Sequence, residues 1–165
     1  MVTARNSDIT LLSPGEIIFT EKPLIVRTIL GSCIAVTVWH PHLKVGGICH
    51  FLIANHQQEH KAKVQNYRYG DCALTFLMKE MSQYAPLNEF ELRLFGGANM
   101  YSSRSKPTVG EKNAHFTKQW AKSYQLKFKQ IEILGNVSRS IIFDLATGNV
   151  ELQQYQQNKV EHNDH

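Results

Sequence analysis

Apolar positions along this chain fall into two kinds of run. Short stretches rich in β-branched and aromatic residues, bounded by Gly, Pro or polar clusters, predict strands at Glu16–Thr20, Leu24–Thr28, Ile34–Trp39, Ile48–Ile53, Gln130–Leu134, Ser140–Phe143 and Val150–Leu152. Phe90, Leu92 and Leu94 alternate with Glu91 and Arg93, which predicts one more, buried on one face only. In two places the spacing is helical. After Asp71, a residue suited to a helix cap, Leu74, Leu77, Met78, Met81 and Ala85 recur at helical intervals until Pro86. After Gly110, Phe116, Trp120 and Tyr124 recur every fourth residue within Glu111–Tyr124. Strands outnumber helices and arrive mostly in hairpin order, so the pattern predicts an α+β domain: an antiparallel or mixed sheet with two principal helices outside it. The polar stretches complete the expectation. Residues 1–12 read as loosely ordered, Asn55–Asn66 as a surface loop, and residues 153–165 as a disordered polar tail after a single domain spanning 1–152.

Candidate chemistry concentrates between Thr28 and Ile53. The runs Ile34–Trp39 and Ile48–Ile53 are separated by His40-Pro41-His42-Leu43 and by Gly46-Gly47, a hairpin signal. With His40–Leu43 as a four-residue loop, Trp39 pairs with Lys44 and Cys33 falls opposite His50. Directly opposed residues share a face, with Cβ atoms about 4.5 to 5.5 Å apart, so an imidazole could take the proton of the thiol. Cys33 is then a candidate nucleophile and His50 its base. Gly31 and Ser32 would let the backbone turn and present N–H groups to an acyl oxygen. The plainer alternative is that Cys33 is one more small buried apolar residue.

Composition narrows the setting. The chain has 165 residues, 42% hydrophobic and 19% charged, enough for one domain with its own core. Three cysteines, Cys33, Cys49 and Cys72, offer no CxxC pair, so neither a disulfide framework nor a zinc ribbon is expected. His40, His42, His50, His56 and His60 crowd one third of the chain, but no carboxylate or second cysteine completes a tetrahedral set with them, and no metal or other cofactor is expected. The formal charge of +4 comes from scattered Lys and Arg. A solvated helix face explains Lys112, Lys118, Lys122, Lys127 and Lys129 without nucleic acid, and the basic balance suits an acidic protein partner. No apolar run is long enough to span a bilayer or serve as a signal segment, so the expectation is a cytoplasmic protein without membrane insertion.

Four separated motifs carry a resemblance. Thr28-Ile29-Leu30-Gly31-Ser32-Cys33, followed by Gly46-Gly47 and His50-Phe51-Leu52, resembles the signature of the CheD family, the chemoreceptor glutamine deamidases of bacterial chemotaxis. Tyr69-Gly70-Asp71, Leu94 to Met100 (LFGGANM), and Phe143-Asp144 with Thr147-Gly148 follow in the family's order. The family's GGxxGR turn is represented here by Leu134 to Arg139, with only Gly135 and Arg139 matching. The resemblance implies two packed sheets flanked by helices, a fold shared with cysteine-dependent toxin deamidases. It implies hydrolysis of receptor glutamine side chains to glutamate through a thioester on Cys33, with His50 as base and no metal or cofactor. It adds Thr28 as a third active-site residue, with a β-branched strand residue as the alternative, and Gly96, Gly97 and Asn99 as neighbours of the cleft. Methyl-accepting chemoreceptors, on their cytoplasmic helices, are the implied partners, together with a CheC-type phosphatase. A non-catalytic adaptor binding either of these is the competing function.

Overall fold

A computed structural model describes residues 8–55, 66–100 and 106–156. Among the described residues, nine strands form two sheets. β1 (Ile9–Leu11), β3 (Ile25–Leu30), β8 (Val137–Asp144) and β9 (Val150–Gln156) make a four-stranded sheet in the order β1-β3-β8-β9. β2 (Ile17–Thr20), β5 (Val45–Phe51), β4 (Ile34–His40), β6 (Glu91–Gly96) and β7 (Phe128–Ile133) make a five-stranded sheet in the order β2-β5-β4-β6-β7. Both sheets are mixed, since β1 runs parallel to β3 and β7 parallel to β6. Helices α1 (Gly70–Ser82) and α2 (Val109–Ser123) pack on the five-stranded sheet.

The layering follows from which face each side chain takes. β4 is the middle strand of its sheet and is buried along its whole length. Val36 and Val38 face the helices with Cys49, Leu74, Leu77, Met81, Leu92 and Leu94. Ala35 and Trp39 face the other sheet with Ile48, Phe95, Val26, Leu30, Ile141 and Phe143. A strand buried on both faces reads as a nearly continuous apolar run, as Ile34–Trp39 does. Trp39 also ties the layers by donating its indole N–H to the Leu145 carbonyl at 3.0 Å.

Several expectations shift. The hairpin loop is Pro41–Lys44, not His40–Leu43: His40 pairs with Val45, and Trp39 with Gly46 instead of Lys44. The cause is the His40 side chain, whose Nδ1 accepts the N–H groups of His42 (3.2 Å) and Leu43 (3.0 Å) and holds the turn closed from its strand end. Gly46 and Gly47 therefore lie inside β5. The two short strands before Cys33 do not pair with each other: β2 joins the five-stranded sheet and β3 the other. Residues 9–11 form β1, and β9 continues to Gln156 because Gln154 and Gln156 pair with Arg139 and Val137. Tyr69, not Asp71, occupies the N-cap position of α1, with Asp71 in the first turn. α2 is capped by the Thr108 hydroxyl, which accepts the Glu111 N–H at 3.1 Å. Most of the polar loop Asn55–Asn66, including His56 and His60, lies outside the described residues, as does 157–165.

Candidate active site

His50 lies on β5 with its ring on the inter-sheet side, opposite Ala35. The two-residue change of register keeps every side chain on its predicted face, since faces alternate with a period of two. It does remove the direct opposition of Cys33 and His50. Extending the β4–β5 register past Ile34 puts Cys33, immediately before β4, one diagonal step from His50, a spacing of roughly 7 to 8 Å between main chains. Cys33 is half-buried and packs against the inter-sheet cluster, whereas Cys49 is fully buried on the helix side.

The partner of His50 comes from the other sheet. The Thr28 hydroxyl on β3 lies 2.6 Å from His50 Nδ1 and donates to the Leu12 carbonyl at 2.8 Å. A carbonyl only accepts, so the single hydroxyl proton is committed to Leu12 and the bond to the ring must come from Nδ1–H. Valence then leaves Nε2 with its lone pair. That atom is buried and has no hydrogen-bond partner among the described residues. Burial pushes the His50 pKa down from 6.5 to about 4, so the ring is neutral at physiological pH. Burial also pushes the Cys33 thiol up, an effect its own backbone N–H partly opposes. At physiological pH Cys33 is thus a thiol and His50 a neutral imidazole.

The backbone around both residues is fixed from several directions. The His50 carbonyl accepts the Gly15 N–H at 2.8 Å, and its N–H donates to Glu16 O at 3.3 Å. The Cys33 carbonyl accepts from Gly97 N at 2.9 Å, and the Gly31 carbonyl from Ala98 N at 3.0 Å. Gly96 has φ +114°, and a Cβ there would stand 2.0 Å from the Cys33 oxygen, so no other residue permits this approach. Gly96 and Gly97 therefore cradle the Cys33 main chain. Asn99 lies further out: its N–H donates to Gly135 O at 2.8 Å, and it lines a surface cavity of about 270 Å³ with Thr108, Glu111 and Asn136. Gly31 and Ser32 form the bend into Cys33.

One buried polar residue, Asn113, escaped the sequence reading, and Arg139 entered it only as a match to the family's turn. Asn113 on α2 is 1% exposed and donates to Ser32 O (3.1 Å) and Leu52 O (2.8 Å). Its signal was its place in the apolar stripe Gly110, Ala114, Thr117, Ala121, where a poor helix former needs a reason. Arg139, pairing with Leu30, donates to Gly96 O (3.3 Å) and Leu134 O (2.8 Å) and so braces the same turn. Among the described residues, no group of three His, Cys, Asp or Glu is placed to hold a metal ion, and no helix is long and apolar enough to cross a membrane.

The fold is that of a two-sheet α+β protein in which a histidine of one sheet is hydrogen-bonded to a threonine of the other and a half-buried cysteine packs against the same inter-sheet layer. Residues 51–154 match the family described as CheD chemotactic sensory transduction. The chain belongs to the CheD family. It is 38% identical over 158 residues to a protein of Chromobacterium violaceum named probable chemoreceptor glutamine deamidase CheD 1, covering 93% of this chain and 81% of that one. A protein of Pseudomonas syringae pv. tomato named probable chemoreceptor glutamine deamidase CheD is 36% identical over 145 residues, 85% of each chain. A Shewanella oneidensis protein with the first of these names is 31% identical over 142 residues, covering 85% of this chain and 69% of that one. The family match begins just after His50, but coverage of 93% in the first alignment carries it across Thr28, Cys33 and His50 as well.

Proposed function

We propose that this protein hydrolyses glutamine side-chain amides in methyl-accepting chemoreceptors, with Cys33 as nucleophile, His50 as base and Thr28 as the residue that orients His50. The names of its relatives support the reaction and the receptor substrate. The observation that carries the residue roles is the Leu12–Thr28–His50 relay, which leaves the lone pair of Nε2 free on the inter-sheet side against which Cys33 packs.

In this reading Cys33 Sγ attacks the carboxamide carbon while His50 Nε2 takes the thiol proton. The oxygen of the tetrahedral intermediate is met by backbone N–H groups of the Gly31-Ser32-Cys33 bend. As the C–N bond breaks, the imidazolium returns its proton to the departing nitrogen, which leaves as ammonia. A thioester remains. Nε2 then accepts a proton from water as that water attacks, and the second intermediate expels the thiolate, which regains its proton to leave glutamate and free enzyme. Every proton step uses one nitrogen, and no metal or cofactor enters the scheme.

The substrate residue sits on a receptor helix at the cytoplasmic side, so the protein would act there and recognise a protein surface. A CheC-type phosphatase is proposed as a second partner on the strength of the family. The test is mass spectrometry of a receptor fragment incubated with the purified protein. Amide-to-acid conversion at defined glutamines, lost in Cys33→Ala, is expected; conversion that persists in Cys33→Ala overturns the scheme. Receptor binding without conversion would make the protein an adaptor.

A further inference from the structure

The two main-chain segments that hold Cys33 and His50 belong to adjacent strands, yet their side chains are not directly opposed. Something must fix the diagonal approach of thiol to ring. Asn113 is a side chain that touches both segments. Its amide nitrogen donates to the carbonyl of Ser32, the peptide that leads into Cys33, and to the carbonyl of Leu52, two residues beyond His50. Both acceptors are carbonyls, so the amide NH₂ must face them and its two protons are both used. The residue is 1% exposed, which makes these bonds hard to replace with water.

The helix is seated to make this reach. Gly110 presses on the turn beyond β6, where an added Cβ would lie 2.4 Å from Gly97 O and 2.5 Å from Ala98 O. One turn later Asn113 enters the gap between the 31–33 bend and the end of β5. Thr117, one further turn along, donates its hydroxyl back to Asn113 O at 2.8 Å and makes no bond to either strand segment.

We infer that Asn113 is a positioning residue for the proposed reaction, a strut that sets the approach of Cys33 to His50 by holding the Ser32 and Leu52 carbonyls at a fixed separation. It touches neither substrate nor reacting atoms. The inference rests on the Cys33–His50 reading above and adds to it the residue through which α2 governs their geometry. A misplacement of about 1 Å between reacting groups lowers rates by roughly 100-fold, which sets the scale of the effect.

The experiment measures deamidation of a purified receptor fragment by full-length Asn113→Ala, Asn113→Ser and, as a control for damage to α2, Thr117→Val. Asn113→Ala should lower kcat roughly 10- to 100-fold with little change in KM, Asn113→Ser should fall between it and the parent, and Thr117→Val should keep the parental kcat. A second readout needs no substrate. Alkylation of Cys33 by iodoacetamide at neutral pH should slow in Asn113→Ala to the rate of His50→Ala, and all three proteins should converge at alkaline pH, where the thiolate forms without help. Equal losses in Asn113→Ala and Thr117→Val would make the residue merely structural and overturn the inference, as would parental kcat in Asn113→Ala. If Cys33→Ala retains activity, the Cys33–His50 reading itself falls. If Asn113→Ala does not fold, Asn113→Ser with the alkylation readout decides the matter in the same way.

Discussion

The two faces of the five-stranded sheet are built to opposite rules. On the helix side, Val36, Val38, Cys49, Phe51, Leu74, Leu77 and Leu94 form an apolar layer, and the buried polar groups Asn113 and Thr117 enter it only from α2. On the side facing the other sheet, Thr28, His50, Arg139 and the half-buried Cys33 stand among Ala35, Ile48, Phe95 and Ile141. Cys33 and Cys49 state the contrast in one residue type. Cys49 is sealed among apolar side chains with its thiol pushed up to about 12, while Cys33 keeps partial access to solvent on the inter-sheet side. Identical chemistry becomes inert or usable according to the face it occupies.

The contrast breaks most sharply at Cys33. Cys33→Ala should lower receptor deamidation by roughly 10⁴-fold or more, while Cys49→Ala should leave the rate unchanged and lower unfolding stability by about 1 kcal/mol. Rate assays and denaturant titrations of the two variants side by side check this. His50→Ala should lose nearly as much as Cys33→Ala, and the double variant little more, because the two act as a unit. Thr28→Val removes the acceptor that fixes the ring tautomer but keeps the shape of the side chain. A loss of roughly 100-fold is expected, at the low end of what base assistance contributes, with activity largely restored in Thr28→Ser.

Smaller effects follow from protonation. With the His50 pKa near 4 and the Cys33 thiol raised, kcat/KM should stay level from about pH 5 to 8 and fall only as His50 takes a proton near pH 4. An acid limb near pH 6.5 instead would show that His50 is solvated. Stability shifts with the same group. An unfolded histidine binds a proton near pH 6.5 while the folded one resists until about 4, so the unfolded state holds more protons between those values. Stability therefore falls as pH drops through that window, by up to about 1.4 kcal/mol per unit, and His50→Ala should flatten the curve.

Much of this arrangement was legible in the sequence. Alternation fixed which face each residue of β4 and β5 takes, and that assignment survived a register error of two because a shift of two preserves parity. The error itself came from His40: its imidazole closes the turn as a side-chain acceptor, a role that composition assigns to Asn, Asp or Ser far more readily. Pairing between β1 and β3 was invisible because a three-residue parallel strand has no pattern of its own, and with it went Leu12 as the acceptor for Thr28. Thr28 was named only by resemblance, since nothing local says that a strand residue of one sheet will meet a ring from another. Asn113 lay in plain view among apolar helix positions, where its aromatic neighbours drew the attention.

Thr28 and His50 belong to different sheets, and this gives their hydrogen bond a second consequence. Apolar layers slide over one another by fractions of an ångström at little cost, because dispersion contacts are many and undirected. A hydrogen bond has a narrow range of length and angle. The bond between Thr28 and His50 therefore registers the alignment of the sandwich more sensitively than the packing that maintains it. Denaturant or heat that lets the sheets slip will silence the protein while its strands and helices still stand, so that loss of turnover should precede loss of circular dichroism in any gradual unfolding.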